Sequence, residues 1–417
     1  MKITIPKLIS SALLALSVLV SNQTAAQEEV RYKLPSFITN HIQEYGPLSE
    51  TYPNFLKSRG DFEKFKQATG NGKGIKVGIV DTGLDYVHAQ KGGELAVGDA
   101  VIVVKDFTNS RNRRSSPGWD DRAGHGTHVA GHIGARANGK GIEGIASECE
   151  LYIAKGLGDR GYGTDSQLSA AIEWLILQKV DIINLSLGGG FSPKIEDSVK
   201  HAYEAGILVF AAMGNEGTRS DGHPGNSKYT FGITAIDYNK IVASFSSRSD
   251  KAVFSGYGVN VFSTFSGGRY AELSGTSMAT PDQVGIAALI LGYSRKINDP
   301  ITNMEEYHDF VKDHIEDLGK IGHDREYGLG FINIESLTES SKNPIKPEPI
   351  KPEPIPDIED PFSPTPTPDP TPDPTPDPTP DPTPDPTPDP SNPFDGFKKV
   401  GEIILDGRRI ILIEELK

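Results

Sequence analysis

Leu273-Ser274-Gly275-Thr276-Ser277-Met278-Ala279-Thr280-Pro281 sets a serine between a glycine-bearing turn and the apolar run that begins at Val284. A serine hydroxyl attacks carbonyls poorly at neutral pH unless a base removes its proton and a third group orients that base. Ser277 is therefore a candidate nucleophile in search of two partners. The stretch Gly124-His125-Gly126-Thr127-His128-Val129-Ala130-Gly131 offers the base, because His125 stands in a glycine-flanked turn entering a helix, where an imidazole can stay accessible. Asp81, in Asp81-Thr82-Gly83, offers the orienting carboxylate. Each is weak alone, since a lone histidine is more often structural and an aspartate at a strand end commonly caps the next helix. Together, in the order Asp81, His125, Ser277, they point to nucleophilic acyl transfer.

Such residues need a rigid frame. Residues 75–80 form an apolar run that predicts a buried strand, with Asp81 at its carboxyl end, where α/β sheets place ligands and catalytic groups. Further strands are expected at 101–104, 151–154, 180–187, 207–212 and 231–235, with helices at 128–137, 166–178 and 195–205 between them. Strands alternating with helices imply a parallel sheet covered on both faces by right-handed crossovers. Beyond Ser277 the pattern predicts a buried helix at 284–291, another at 304–315, and a closing strand or turn at 327–333.

The chain ends differ from this frame. Lys2 and Lys7, an apolar run at 8–20 and Thr24-Ala25-Ala26 read as a signal peptide over 1–26 and a secreted product. The alternative, a membrane anchor, is disfavoured because the run is shorter than the ~20 apolar residues a spanning helix needs. Residues 27–56 form a polar arm or short pro-segment broken by Pro35, Pro47 and Pro53, followed by a short helical pattern at 62–66. The globular unit covers 57–340. Of the 417 residues 31 are proline, concentrated in a linker at 341–393 whose Thr-Pro-Asp-Pro repeats form an extended, disordered stalk. At ~3.1 Å per residue the repeats would reach on the order of 70 Å. The tail, 394–417, has two apolar runs around Asp406-Gly407, a hairpin signal. A lone hairpin is marginal in water, so it is expected to pair with the chain's own domain, a second copy or a cell-surface partner. A net charge of -14 disfavours nucleic acid and anionic membranes as main partners, and a monomer is expected. Cys149 is the only cysteine, which excludes an intramolecular disulfide and a metal–thiolate cluster. It reads as inert packing.

The Asp-Thr-Gly, His-Gly-Thr-His-Val-Ala-Gly and Gly-Thr-Ser-Met-Ala-Thr-Pro segments resemble the three signature blocks of the subtilisin-like serine proteases, the subtilases, and their order is also subtilisin's. The resemblance covers roughly 57–337. It implies a three-layer α/β fold, a mainly parallel sheet flanked by helices, and a serine endopeptidase acting on proteins or peptides through an acyl-enzyme. Position by position, it makes Ser277 the attacking group, His125 the proton carrier and buried Asp81 the holder of the imidazole. Asn215, in Gly214-Asn215-Glu216-Gly217, matches the family's side-chain oxyanion donor, with the Ser277 N–H as the second. Gly161-Tyr162-Gly163 and Ser186-Leu187-Gly188-Gly189 resemble the edges that bind an extended peptide through its backbone, which gives broad specificity. Ala212, Gly214 and Gly222 fall at the substrate site, where the small Ala212 and Gly222 walls suit a large apolar side chain before the scissile bond. Asp221 resembles the pocket acid of processing relatives that select Lys or Arg, although the acid those carry after Leu187 is missing. The chemistry requires no cofactor. Structural calcium is common in the family, but no aspartate-rich loop of EF-hand spacing marks a site, so calcium stays an unassigned candidate.

Two positions depart from the pattern. Asp282-Gln283-Val284-Gly285 follows Pro281 where the family usually has His-Val-Ala-Gly, which bears on how the helix behind Ser277 packs. Fewer than about fifty residues separate the expected signal cleavage from the Asp81 strand, short of the usual compact folding-assistant domain. The Asp282-Gln283 change, the stalk and the terminal hairpin motivate a second class of function, a non-catalytic surface-binding protein on a subtilase scaffold.

Overall fold

The computed structural model describes residues 31–33, 38–41, 62–90, 93–95, 101–108, 117–218, 222–337, 397–405 and 408–415. The expected signal peptide, the proline-rich linker and Asp221 lie outside the described residues.

In chain order the elements are β1 (Arg31–Lys33), β2 (Ile38–His41), α1 (Phe62–Thr69), β3 (Lys76–Asp81), β4 (Val101–Asp106), α2 (His125–Gly134), β5 (Glu150–Lys155), β6 (Tyr162–Thr164), α3 (Asp165–Leu177), β7 (Ile182–Leu185), β8 (Gly188–Gly189), α4 (Pro193–Glu204) and β9 (Leu208–Ala212). There follow β10 (Phe231–Ile236), β11 (Ala252–Tyr257), β12 (Val261–Phe265), β13 (Arg269–Ser274), α5 (Thr276–Lys296), α6 (Met304–Val311), β14 (Ile315–Glu316), β15 (Phe331–Ile332), β16 (Phe397–Leu405) and β17 (Arg408–Glu415).

The central sheet has seven strands in the order β11-β10-β9-β7-β3-β5-β4, and every neighbouring pair is parallel. Successive side chains of a strand point to opposite faces, so a sheet covered on both sides needs apolar residues at nearly every position. That is what the runs supply. Val77, Ile79, Leu151, Ile153, Leu208 and Phe210 enter one buried cluster, which also takes α2 and α5 residues such as Val129, Ile133, Val284 and Ile286. Val80, Tyr152, Ala154, Val209 and Ala211 enter the other, with Leu168 and Ile172 of α3 and Ile195 and Val199 of α4. The result is the three-layer arrangement the sequence implies.

Three boundaries differ from the sequence reading, each for a local reason. β3 runs to Asp81 itself, because Asp81 still pairs with Lys155 of β5. α2 begins at His125 and not at 128, since Asp121 caps its start: Oδ1 accepts from the Ala123 and Gly124 N–H groups (3.0 and 2.8 Å), and Oδ2 from the Thr127 N–H at 2.9 Å. α5 is one helix from Thr276 to Lys296, with Pro281 inside it. A proline cannot donate to the carbonyl four residues back, here that of Ser277. That carbonyl accepts the Ser186 hydroxyl instead, at 2.8 Å, so the helix continues. Asp282 and Gln283 are fully buried in α5, where Asp282 Oδ2 accepts from the Tyr257 N–H (3.1 Å) and from Gln283 Nε2 (3.2 Å).

Two small sheets matter for function. β1 lies between β6 and β8, antiparallel to both, and β2 pairs with β13 in the sheet β12-β13-β2. β16 and β17 form the expected hairpin, with Leu405 opposite Arg408 across Asp406-Gly407. Among the described residues no helix is long and apolar enough to cross a membrane.

Candidate active site

The carboxyl end of β3 delivers Asp81, and the first residue of α2 is His125. Asp81 Oδ1 and Oδ2 lie 2.8 and 3.0 Å from His125 Nδ1, with both side chains fully buried. A carboxylate only accepts, so Nδ1 carries the proton and Nε2 keeps its lone pair. That is the tautomer of a general base. The two elements are tied together beside this contact, because the Gly126 N–H donates to Thr82 Oγ1 at 2.8 Å. A Cβ on Gly126 would stand 2.5 Å from the Gly83 carbonyl oxygen, which is why a glycine follows His125. The sequence suggested an accessible imidazole. His125 is instead fully buried, its ring belonging to the packed first turn of a helix and not to a preceding loop.

Ser277 is the second residue of α5. Its hydroxyl donates to the Ser186 carbonyl at 3.0 Å, and the Ser186 hydroxyl donates back to the Ser277 carbonyl. Asn184 Nδ2 in turn donates to Ser186 Oγ at 2.9 Å, anchoring the pair to β7. The Ser277 hydroxyl is therefore held by the carbonyl that follows β7.

Asn215 follows Gly214 after β9. Its side-chain oxygen accepts from both the N–H and the hydroxyl of Thr276, each at 2.9 Å, so the amide nitrogen is the end turned away from Thr276. The Thr276 hydroxyl also accepts from the Gly214 N–H at 3.1 Å. The position of a Cβ on Gly275 would be 3.0 Å from Asn215 Nδ2 and 3.7 Å from the Ser277 nitrogen. A residue without a side chain thus leaves open the space that two donors face. Helix first-turn N–H groups have no intrahelical acceptor, which suits the second donor to an oxyanion.

Gly161 lies in the turn before β6 with φ +75°, while Tyr162 and Gly163 are in the strand. Ser186 and Leu187 link β7 to Gly188 of β8. Between these edges runs the chain's own β1, with Tyr32 opposite Gly163 and Gly189, and Lys33 opposite Tyr162 and Gly188. β2 then sets Ile38 opposite Ser274. β1 thus lies on the segment leading from Ser186, and β2 on the strand leading into α5. Ala212 closes β9 and is fully buried, and the Gly222 N–H donates to the Met213 carbonyl at 2.8 Å. Cys149 is buried, its thiol pushed up to about 12 by burial, and it is remote in kind from a thiolate nucleophile. Among the described residues no three His, Cys, Asp or Glu side chains are placed to hold a metal ion.

Comparison with known proteins gives the same answer from another direction. The Subtilase family matches residues 72–330, more than half of the chain. The chain belongs to the subtilase family. That is a family of serine endopeptidases, and residues 72–330 are its peptidase domain. Subtilisin DY of Bacillus licheniformis is 36% identical over 279 residues, 66% of this chain and 94% of that protein. Subtilisin E of Bacillus subtilis (strain 168) is 35% identical over 274 residues, 64% of this chain and 66% of that one. Minor extracellular protease Epr of Bacillus subtilis (strain 168) is 35% identical over 272 residues, 65% of this chain but only 39% of its own length.

The sequence reading did not single out Thr276, Tyr32, His223 or Glu196. Thr276 sat in view between Gly275 and Ser277, and its role emerges only when the Asn215 loop is brought to it. The other three come from three distant segments and share no spacing.

Proposed function

We propose that this chain is a secreted serine endopeptidase that cleaves proteins or peptides through an acyl-enzyme at Ser277 and is kept latent by its own N-terminal arm. The observation that carries the reading is β1, a peptide strand laid between β6 and β8 beside the catalytic serine, in the place a substrate backbone would occupy. Backbone pairing of this kind holds an extended chain with little demand on its sequence.

With a substrate in place of β1, the Ser277 hydroxyl leaves the Ser186 carbonyl, gives its proton to His125 Nε2 and attacks the scissile carbonyl. Asp81 holds the imidazole tautomer and stabilises the imidazolium that forms. The developing oxyanion takes hydrogen bonds from Asn215 Nδ2 and the Ser277 N–H. His125 returns the proton to the leaving amine, and water reverses the sequence to release the acid. No step requires a metal. The small residues Ala212 and Gly222 favour a large apolar side chain before the scissile bond. The apolar run at 8–20 and the extracellular relative Epr support export.

The test uses the full chain and three variants on casein and on a mixed peptide library. Ser277→Ala should be inert, Tyr32→Ala should hydrolyse faster than the unaltered chain at early times, and the double variant should be inert again. Equal inactivity of Tyr32→Ala and Ser277→Ala would remove the endopeptidase reading, and a Tyr32→Ala rate equal to that of the unaltered chain would remove the latency.

A further inference from the structure

Tyr32 is the one side chain of β1 that is fully buried. Its ring joins the apolar cluster that contains Leu157, Leu168, Leu187 and Ile195. Gly189 makes room for it, since a Cβ there would stand 2.9 Å from the ring. At the far end of the hollow the phenolic oxygen meets polar atoms. It lies 3.0 Å from the Gly190 carbonyl oxygen and 3.0 Å from His223 Nδ1. His223 Nε2 is 3.0 Å from Glu196 Oε2 on α4. His223 is itself pinned to the groove wall, exchanging backbone hydrogen bonds with Gly189, and Phe191 packs on its ring at 5.1 Å.

The protons can be counted. Glu196 only accepts when ionised, so it draws the imidazole proton to Nε2 and leaves Nδ1 as an acceptor. Burial pushes His223 below the ordinary histidine range, with Glu196 opposing, which is consistent with a neutral ring. The floor of the hollow then presents two acceptors, Nδ1 and the Gly190 carbonyl, to one phenolic proton. A phenylalanine would fill the apolar walls equally well and leave the buried His223 Nδ1 without a donor. An apolar hollow alone has no need of this pair.

We propose that the Tyr32 hollow is a substrate subsite that reads a tyrosine hydroxyl, with His223 as the specificity-determining residue and Glu196 as the residue positioning it. The inference rests on the endopeptidase reading above and deepens it. The arm occupies the subsite with its own tyrosine, and substrates compete for it with theirs. Since β1 runs toward the catalytic serine from the amino-terminal side, the tyrosine lies ahead of the bond that is cut. A site built to bond a hydroxyl discriminates strongly against the analogue lacking it, so Tyr should exceed Phe by about tenfold or more in kcat/KM.

The experiment uses the full chain carrying Tyr32→Ala, so that the arm does not fill the hollow. Internally quenched peptides place a single tyrosine at each successive position ahead of the cut, with phenylalanine controls, and product masses locate the bond. A Tyr-over-Phe preference of about tenfold at one position supports the subsite; equal rates for Tyr and Phe at every position overturn it. Adding His223→Leu should bring the ratio near one, and an unchanged ratio would overturn the subsite. Should that variant fail to fold, Glu196→Ala on the half-exposed face of α4 gives the second reading: a reduced ratio supports the relay, and an unchanged ratio overturns it. If no peptide is cut and Ser277→Ala behaves identically, the endopeptidase reading fails and takes the subsite with it. Cleavage without tyrosine preference removes the subsite alone.

Discussion

One hydroxyl, that of Thr276, joins two loops that carry the chemistry, donating to Asn215 and accepting from the Gly214 N–H. The Asn215 oxygen is thereby spent, and the nitrogen is aimed at the space beside Gly275 that the Ser277 N–H also faces. Asn215→Ala should therefore lower kcat by ~10²–10³ with KM nearly unchanged, the cost known for the matching asparagine of subtilisin. Thr276→Ala should fall between that variant and the unaltered enzyme. Thr276→Ser, which keeps the hydroxyl, should recover most of the loss, and a purely packing role for Thr276 would make the Ser and Ala variants alike. Fluorogenic peptide kinetics measure all three. The Ser186 pair acts on the nucleophile in a similar way: it holds the serine hydroxyl and also satisfies the carbonyl that Pro281 leaves without a donor.

At the level of elements, α2 is fastened to the hairpin of β12 and β13 by His128, whose Nε2 lies 2.9 Å from the Val261 carbonyl and 3.2 Å from that of Ala271. Burial drives its pKa down to about 3. The folded state thus refuses a proton that the unfolded chain accepts below about 6.5, so stability from this group is full above 6.5 and lost as pH falls toward 3. Each pH unit in that window should cost about 1.4 kcal/mol. Urea unfolding at pH 7.5 and 5.5 should show the loss, and His128→Gln should flatten it; an equal slope in the variant would assign the acid sensitivity elsewhere. The sheet strands and the three glycine-flanked motifs around Asp81, His125 and Ser277 were legible in the sequence because apolar runs and such motifs are local signals. The strands β1 and β2 were not, because three or four residues carry no periodicity and take their conformation from partners far along the chain, while β6 and β8 were expected only through the family resemblance. The full span of α5 was hidden by Pro281, a helix breaker by rule that is tolerated here because a serine from another loop completes the bonding. Asp282 and Gln283 looked like a threat to that helix, yet the Asp282 carboxylate takes up the Tyr257 N–H and the Gln283 amide.

For the whole molecule, the two buried clusters among the residues whose burial is described lie within residues 32–337. Deleting residues 343–417 should leave peptide hydrolysis and the thermal midpoint nearly unchanged, and a fall in either would show that the hairpin packs on the domain. The arm is different, because β1 and β2 complete two sheets of the domain. Residues 31–33 are seated between β6 and β8. The proposed chemistry turns on one atom, the Ser277 hydroxyl, held by the Ser186 carbonyl. A fluorophosphonate probe that reacts with activated serines measures it directly, applied to the full chain and to Tyr32→Ala and read by peptide mass mapping. A single label is expected, on Ser277, that forms faster in Tyr32→Ala and is absent when His125→Ala is added. A label on another residue, or an unlabelled Ser277 in Tyr32→Ala, would contradict it.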